Sequence, residues 1–295
     1  MAKILITGAS GLVGSRFVEL YSKKENLLTP DITSLDIASH ESVDKHFEKE
    51  SPDVVVNFAA YTNVDGAEKE RGDEKGIAWR LNVDGVKNLV KAVKKQDGFL
   101  IHFSTDFVFE GSEDNPGPYS ENSRKPEISN KLSWYGITKS VAEDEIKSSG
   151  VRSAIIRIAY PFYASNYPQK VDFAKGFIKL FDENKLYPVF SDQTLSVLNV
   201  DDLVSPLQKI IENQIGGLFH VVSSDTTTPF EFVSYLLEKA RGAKDVLQKG
   251  SMKEFLSKEG RTPRPRLGGL KSDVTQQKLG IKFKTWKEMV DEFES

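Results

Sequence analysis

The 295-residue chain contains no cysteine. That absence excludes disulfides, thiolate nucleophiles, iron–sulfur clusters and cysteine-based zinc sites. The chain also lacks an excess of basic residues: 40 Lys and Arg are outnumbered by 43 Asp and Glu, which leaves a formal net charge of −3. Because a general nucleic-acid binder usually needs a basic face, we expect no nucleic-acid partner.

Long apolar runs are missing as well. No uninterrupted run approaches the ~20 residues that a transmembrane helix needs. The apolar segment Ile4-Leu5-Ile6 near the start is too short for a secretory signal. The simplest interpretation is a cytoplasmic protein without a membrane partner.

Histidines are few, and they do not have the spacing of metal ligands. They are His40, His46, His102 and His220. We therefore predict no metal site. His102 lies in an apolar predicted strand, and we interpret it as a structural residue.

What the first half of the sequence does contain is an alternation of short β-branched runs with longer helical patterns. The predicted strands cover residues 3–7, 26–29, 53–57, 99–103 and 152–157. The predicted helices cover residues 12–22, 41–50, 73–95 and 133–147. This alternation, with apolar strands, predicts an α/β fold: a doubly wound parallel sheet of the Rossmann type, covered by helices on both faces.

The second half has a more mixed pattern. Helices are predicted over 172–184, 201–213, 229–241, 252–258 and 285–294, and strands over 187–190 and 217–222. Loops are marked by Pro126, Pro161, Pro168, Pro188, Pro263 and Pro265. We expect residues 1–160 to form a dinucleotide-binding core, to which segments near 193–222 return. Residues 161–192 and 223–295 are expected to form a smaller, mixed substrate-binding lobe.

A glycine-rich segment stands where the first predicted strand turns into the first predicted helix. Its glycines allow a tight turn and a close approach of the backbone to a pyrophosphate, which the helix N-terminus attracts. The segment predicts a dinucleotide site that involves Gly8, Ser10, Gly11, Leu12, Val13 and Gly14.

Asp31 follows the second predicted strand, twenty residues after Gly11. A carboxylate there accepts hydrogen bonds from the adenosine ribose and repels a 2′-phosphate, and no arginine is adjacent to bind that phosphate. The predicted cofactor is therefore NAD or NADP, with NAD favoured. A loop aspartate without a ligand is the alternative.

Tyr135-Gly136-Ile137-Thr138-Lys139 places a phenol and an ammonium on one face of a helix. A nearby cation stabilises phenolate and lowers the pKa of a tyrosine, which can then protonate a carbonyl oxygen as hydride arrives at the carbon. Ser104-Thr105-Asp106 follows a predicted strand directly, at the edge of the sheet where ligands bind. The Thr105 hydroxyl is thus expected to polarise the same carbonyl, and a simple turn cap is the alternative.

At this point the sequence resembles the extended short-chain dehydrogenases, and within them the dTDP-4-dehydrorhamnose reductase family. The residues that carry the resemblance are spread along most of the chain: Thr7–Gly14, Asn57–Asp65, Ser104–Gly111, Tyr135–Lys139, Asp192-Gln193 and Arg264-Pro265.

The resemblance implies roles for individual residues. Gly11, Leu12, Val13 and Asp31 would hold the adenosine diphosphate end of the cofactor, Asp36 and Ile37 would flank the adenine, and Ala60, Tyr61 and Thr62 would line the nicotinamide side. The implied catalytic triad is Thr105, Tyr135 and Lys139, of which Lys139 also binds the nicotinamide ribose. The implied sugar contacts are Thr105, Asp106 and Tyr160.

The implied activity is the NAD(P)H-dependent reduction of a nucleotide-linked 4-keto sugar at C4, most directly dTDP-4-dehydrorhamnose, with Tyr135 as the proton donor. Related dehydratases carry an acidic residue where this chain has Phe107, which favours reduction over water elimination. Two alternatives stay open. One is another sugar-nucleotide reductase or an epimerase, and the other is a non-catalytic regulatory subunit resembling that of methionine adenosyltransferase. A homodimer stays open too.

The chain departs from the family pattern at three places. Residues 194–197 replace a Gly-x-Pro-Thr segment, Tyr160 replaces a tryptophan, and Leu12 replaces a glutamine. We expect these changes to affect which sugar nucleotide is bound rather than the cofactor chemistry.

Overall fold

The computed structural model describes residues 2–21, 23, 26–165 and 171–293. The predictions made for Ser22, Pro168 and Glu294 lie outside the described residues. The strands are β1 Ile4–Thr7, β2 Leu27–Leu28, β3 Val54–Asn57, β4 Phe99–Thr105, β5 Ser153–Ile158, β6 Pro161–Phe162, β7 Val189–Phe190, β8 Leu198–Asn199, β9 Gly217–His220 and β10 Lys249–Gly250.

The helices alternate with these strands. They are α1 Leu12–Leu20, α2 His40–Glu50, α3 Val64–Glu68, α4 Ile77–Trp79, α5 Gly85–Lys95, α6 Trp134–Ser149, α7 Phe173–Asp182, α8 Val204–Asn213, α9 Pro229–Arg241, α10 Met252–Leu256, α11 Asp273–Leu279 and α12 Trp286–Asp291. Short 3₁₀ turns cover Asp106–Val108 and Val200–Leu203, and Arg80–Asp84 is π-helical. None of the described helices is both long and apolar enough to cross a bilayer.

Six parallel strands form the central sheet in the order β2-β1-β3-β4-β5-β9. The chain runs outward from β1 to β2 and then returns to β3 on the other side of β1. The direction of winding therefore reverses between β1 and β3, and such a reversal opens a crevice at the carboxyl ends of the strands. This topology confirms the predicted doubly wound α/β fold.

Alternate side chains of the strands fill two apolar layers, one on each face of the sheet. Ile4 and Ile6 of β1 pack with α1 and α8 on one face. Leu5 packs with α2, α5 and α6 on the other. Every residue of β3 and β4 is buried, which explains why apolar residues follow one another in Val54–Val56 and Phe99–Ile101 instead of alternating with polar ones.

A third apolar cluster joins β6, α7, α9 and α12, with Phe162, Phe177, Phe232 and Trp286 among its members. Leu279, at the end of α11, packs instead in a cluster of the central sheet. The division into a core (1–160, with segments near 193–222) and a lobe (161–192 and 223–295) stays a proposal.

The helix predicted over residues 73–95 is wrong at its beginning. Residues 73–76 form turns, and the helix starts at Ile77, where the Glu70 carboxylate accepts a hydrogen bond from the Ala78 N–H at 2.9 Å. A cap from eight residues upstream is not a local sequence signal. The strand predicted over 217–222 ends at His220.

A buried ion pair attaches α6 to the sheet. Glu143 on α6 accepts two hydrogen bonds from Arg157 on β5, at 2.8 and 2.6 Å, and one from the Ser104 hydroxyl on β4 at 2.7 Å. Burial on its own would raise the pKa of Glu143, but the hydrogen bonds and charge of Arg157 outweigh it and lower the pKa to about 2. The carboxylate therefore stays ionised, and it holds one helix against two strands.

We expect Glu143→Gln to lower the free energy of unfolding by about 3 kcal/mol, because it leaves the Arg157 charge buried without its partner. Urea denaturation at neutral pH measures this loss. Glu145→Gln, on the exposed side of the same helix, is the matched control and should change stability by less than about 0.5 kcal/mol. Equal effects of the two substitutions would show that the pair does not hold α6.

Candidate active site

The carboxyl ends of the central strands open into a cleft of about 730 Å³. It brings together most of the predicted site residues from distant parts of the chain: Gly11, Leu12, Val13, Gly14, Ala60, Thr62, Thr105, Asp106, Tyr135, Lys139 and Tyr160. Among the predicted residues, all of which are described, six do not line this cleft: Gly8, Ser10, Asp31, Asp36, Ile37 and Tyr61.

The glycine-rich loop has the conformation that a phosphate site requires. Gly8 has φ +69°, and a Cβ there would lie 2.6 Å from the Ala59 nitrogen, so no other residue fits. Gly11 begins α1 without a side-chain cap, and the first-turn N–H groups of a helix have no partner within it. These donors and the positive end of the helix dipole suit the pyrophosphate of a dinucleotide.

Asp31, Asp36 and Ile37, which are predicted to contact the ribose and the adenine, lie outside the cleft. Asp31 is fully exposed, and its Oδ1 accepts hydrogen bonds from the Thr33 hydroxyl at 2.8 Å and the Ser34 N–H at 2.9 Å, which lower its pKa. Asp36 accepts from the Ala38 N–H. Ile37 is buried in the apolar layer beneath the sheet. Their cofactor roles stay predictions.

Tyr135, in the first turn of α6, is buried at the floor of the cleft. Burial raises its pKa above the ordinary value; a hydrogen bond with Thr105 opposes this rise, and the charge of Asp106 adds to it. The expectation that Lys139 lowers the pKa of Tyr135 is therefore wrong: burial raises that pKa, and Lys139 Nζ bonds to the Phe103 carbonyl and His102. At neutral pH the phenol keeps its proton.

Lys139 lies one helical turn beyond Tyr135, and its Nζ is directed toward β4. It donates to the Phe103 carbonyl oxygen at 2.6 Å and lies 3.1 Å from His102 Nε2. Burial lowers the pKa of Lys139 to about 7, while the charge of Glu143 acts in the opposite direction. The amine can thus gain or lose a proton near neutral pH.

Thr105 and Asp106 combine a structural role with a place in the cleft. Thr105 Oγ1 accepts from the Phe107 N–H at 3.2 Å and donates to Asp106 Oδ1 at 3.0 Å. Thr105 therefore does cap the turn that follows it, as the alternative predicts. The capping bond fixes the position of a hydroxyl group on a residue that also lines the cleft. Burial raises the pKa of Asp106 to about 6, against the hydrogen bond from Thr105.

Sequence analysis missed the role of Asn82. This buried amide accepts from the Tyr61 N–H at 2.7 Å, donates to the Tyr61 carbonyl oxygen at 3.0 Å, and donates to the Thr138 hydroxyl at 2.9 Å. It thereby joins the loop after β3 to the helix that carries Tyr135. The available signal was a polar residue at a position where the helical period predicts a buried side chain.

Arg264 was noted as part of a motif but given no role. It lines the cleft, and its Nη2 lies 2.8 Å from both carboxylate oxygens of Asp65, 199 positions away in the chain. Among the described residues, Arg264 and Lys139 are the basic side chains that line the cleft.

Tyr160, which the family resemblance predicts to contact the sugar, lines the cleft. Its φ of +40° is uncommon for a residue with a side chain, and its hydroxyl accepts from Gln193 Nε2 at 3.0 Å. Gln193 also donates to the Pro265 carbonyl oxygen at 3.2 Å. Residues 194–197, which depart from the family pattern, do not line the cleft, and they bond to residues 223, 227, 266, 268 and 270.

Comparison with known proteins agrees with this geometry. The family model described as RmlD substrate binding domain matches residues 2–294. The dTDP-4-dehydrorhamnose reductase of Shigella flexneri is 28% identical over 294 residues, which cover 96% of this chain and 94% of that protein. The spore coat polysaccharide biosynthesis protein SpsK of Bacillus subtilis is 27% identical and covers 99% of this chain, with 97% of its own length matched.

Among solved structures, the dTDP-4-dehydrorhamnose reductase of Bacillus anthracis in complex with NADP superimposes with a TM-score of 0.86. It is 27% identical, and the match covers 99% of this chain and 98% of that one. These findings confirm the family resemblance that the motifs carry.

We expect Lys139→Met to abolish activity but to stabilise the fold at low pH. The lowered pKa means that the folded protein binds this proton less tightly than the unfolded chain does. The free energy of unfolding therefore rises with pH between about pH 7 and pH 10.5. Below about pH 7 Lys139 is charged in the folded and the unfolded state, so the cost of burying its charge is fully present. By this linkage, the gain in the free energy of unfolding on removing the charge should be about 3 kcal/mol larger at about pH 6.5 than at about pH 9.5.

Urea denaturation of both proteins at the two pH values measures this difference. The exposed Lys91→Met serves as the control and should show no such pH dependence. A stabilisation by Lys139→Met that is the same at both pH values would mean that the buried amine carries no pH-dependent penalty.

Proposed function

The chain belongs to the RmlD substrate binding domain family, and from this premise we propose that it is an NAD(P)H-dependent reductase of a nucleotide-linked 4-keto sugar, most directly dTDP-4-dehydrorhamnose. The observation that carries the proposal is the convergence of Thr105, Tyr135 and Lys139 on the cleft that begins at the glycine-rich loop. The relatives that match almost the whole chain include proteins named for this reaction.

Each group of the cleft has a defined task in this reaction. The first turn of α1 binds the pyrophosphate, and the reduced nicotinamide, when bound, supplies the hydride. Tyr135, whose raised pKa keeps the phenol protonated, donates its proton to the substrate oxygen, and the Thr105 hydroxyl orients that oxygen. Lys139, with a pKa of about 7, can return a proton to the phenolate.

Phe107 supports reduction rather than dehydration. Its ring lies edge-on to Tyr135 with a centroid separation of 5.7 Å, where a dehydratase would place a carboxyl group. An apolar ring cannot exchange the proton that water elimination requires. The preserved cleft also argues against the regulatory-subunit alternative, because residues 194–197 lie outside it.

Arg264 extends the proposal to the nucleotide. A nucleotide-linked sugar brings a diphosphate, and a guanidinium is the side chain best suited to bind it. Arg264 reaches the cleft while Asp65, itself mostly exposed, holds one of its nitrogens. We therefore assign Arg264 to the substrate diphosphate.

Three finer points belong to the same proposal. NAD is favoured over NADP because the exposed carboxylate of Asp31 would repel a 2′-phosphate, although the B. anthracis relative is described in complex with NADP. The ratio of kcat/KM for NADH and NADPH measures this preference. A homodimer and a cytoplasmic location complete the proposal, and sedimentation of the purified protein tests the first.

The central test is NADH and NADPH oxidation by the purified protein with enzymatically generated dTDP-4-dehydrorhamnose. Tyr135→Phe removes the proton donor and should lower kcat by about 100-fold or more, with cofactor binding retained. The exposed Tyr187→Phe is the matched control and should retain full turnover. Full turnover by Tyr135→Phe would contradict the mechanism. Cofactor binding without turnover on this substrate would favour a different sugar nucleotide.

Arg264→Gln should raise KM for the nucleotide sugar by about tenfold, with a smaller change in KM for the cofactor, because a charge-assisted contact to the diphosphate is lost. Steady-state kinetics with each substrate varied in turn separate the two effects. Arg261→Gln removes an exposed arginine that stacks on Phe255, and it should leave both constants unchanged. Equal increases in both KM values would indicate a general distortion of the cleft.

A further inference from the structure

A chain of buried hydrogen bonds runs beneath the cleft and ends on Lys139. The Thr7 hydroxyl on β1 donates to Asn57 Oδ1 on β3 at 2.6 Å, and Asn57 Nδ2 lies 3.0 Å from His102 Nδ1 on β4. His102 Nε2 lies 3.1 Å from Lys139 Nζ on α6. All four side chains are at most 3% exposed, so their polar groups need hydrogen-bond partners within the protein.

The hydrogen-bond roles in this chain depend on the charge of Lys139. With Asn57 Nδ2 as the donor to His102 Nδ1, the proton of a neutral imidazole lies on Nε2 and points at Nζ. An ammonium has no lone pair to accept it, whereas the neutral amine does. The arrangement in which Asn57 Nδ2 donates to His102 Nδ1 is therefore compatible with the neutral amine form of Lys139.

Rotation of the Asn57 amide by half a turn produces the complementary arrangement. Oδ1 then accepts a proton from His102 Nδ1, so that Nε2 is free to accept from the ammonium, and Nδ2 donates to Thr7 Oγ1. Relative to the amine arrangement one proton has been added: the Nε2 proton moves to Nζ, and the added proton resides on Nδ1. The heavy atoms keep their places, and each of the three hydrogen bonds of the chain is kept with its donor and acceptor exchanged.

The other ionisable groups around Lys139 bond elsewhere, so His102 is the side chain that responds to the charge of the lysine. The pKa of His102 lies well below its ordinary value, because of burial and the charge of Lys139, so the ring stays neutral. Glu143, one turn along α6, attracts the ammonium but is bonded to Arg157 and Ser104. Asp106 and Tyr135, the other titratable groups at this side of the cleft, bond to Thr105 rather than to Lys139.

We propose that His102 is a positioning residue for Lys139, and that the chain from Thr7 through Asn57 to His102 exchanges donor and acceptor roles to match the charge of the lysine. This proposal rests on the proposed function, in which Lys139 returns a proton to Tyr135. In this way the hydrogen bond between His102 and Lys139 is kept in both charge states of the lysine. Lys139 can therefore give up and regain a proton without moving.

Two substitutions should move the titration midpoint of Lys139 in opposite directions. Asn57→Asp places a carboxylate that accepts the Nδ1 proton, which makes Nε2 an acceptor and favours the ammonium, so the midpoint should rise by about one pH unit or more. His102→Phe removes the acceptor, and the midpoint should fall by about one pH unit. His102→Gln, whose amide can either donate or accept, should restore a midpoint close to that of the unchanged protein.

The midpoint is measured by NMR on full-length protein with ¹³C- and ¹⁵N-labelled lysine, in the absence of any sugar nucleotide, with the Lys139 signal assigned by its loss in Lys139→Met. His46→Phe alters a histidine on α2 that is not part of this hydrogen-bond chain, and it should leave the midpoint unchanged. Folded Asn57→Asp and His102 variants that all titrate like the unchanged protein would overturn the proposal. So would shifts of Asn57→Asp and His102→Phe in the same direction.

The pH profile of kcat should follow the same order, with its lysine-dependent limb displaced upward in Asn57→Asp and downward in His102→Phe. The NMR measurement needs no turnover, so the two proposals fail separately. Shifted midpoints in a protein that reduces no keto-sugar would leave the hydrogen-bond chain standing and overturn the proposed function. Unshifted midpoints in an active reductase would do the reverse.

Discussion

The contact on which the active-site geometry depends is the buried pair of Glu143 and Arg157. Glu143 belongs to the helix that carries Tyr135 and Lys139, and it bonds to neighbouring strands through Arg157 and Ser104. Ser104 directly precedes Thr105. One carboxylate thus joins the helix that carries Tyr135 and Lys139 to the strand that carries Thr105. A buried ion pair adds little net stability after its desolvation cost, but its bonds join α6 to both β4 and β5.

Burial, more than any pair of charges, sets the protonation of the reacting groups. It raises the pKa of Tyr135 and of Asp106, and it lowers that of Lys139. Asp106 and Lys139 therefore both titrate near neutral pH, although one is an acid and the other a base. A parallel sheet produces this situation because helices cover both faces and leave only the carboxyl edge open. Burying ionisable groups in this way lowers the stability of the fold, as is common at active sites.

The sequence predicted those parts of the molecule whose signals are local. Helix α9 begins and ends as predicted because Thr228 and Glu231 form a capping box and Gly242 closes it with positive φ. The two-residue strands β6, β8 and β10 have no period to detect. The direction of Lys139 Nζ could not be predicted either, because it depends on His102 and on the Phe103 carbonyl, 37 and 36 positions away.

The two sides of the cleft also differ in how far their residues are separated in the sequence. The predicted phosphate site is one continuous segment, β1 with its glycine-rich loop and α1, so its motif can be recognised from the sequence. The part around Tyr160 instead joins Tyr160, Gln193 and Pro265, which are distant in sequence, and Arg264 bonds to Asp65, 199 positions away. Residues 194–197 contribute backbone bonds and a buried hydroxyl to this assembly rather than a surface of the cleft. Their sequence can therefore change while the residues that line the cleft stay in place.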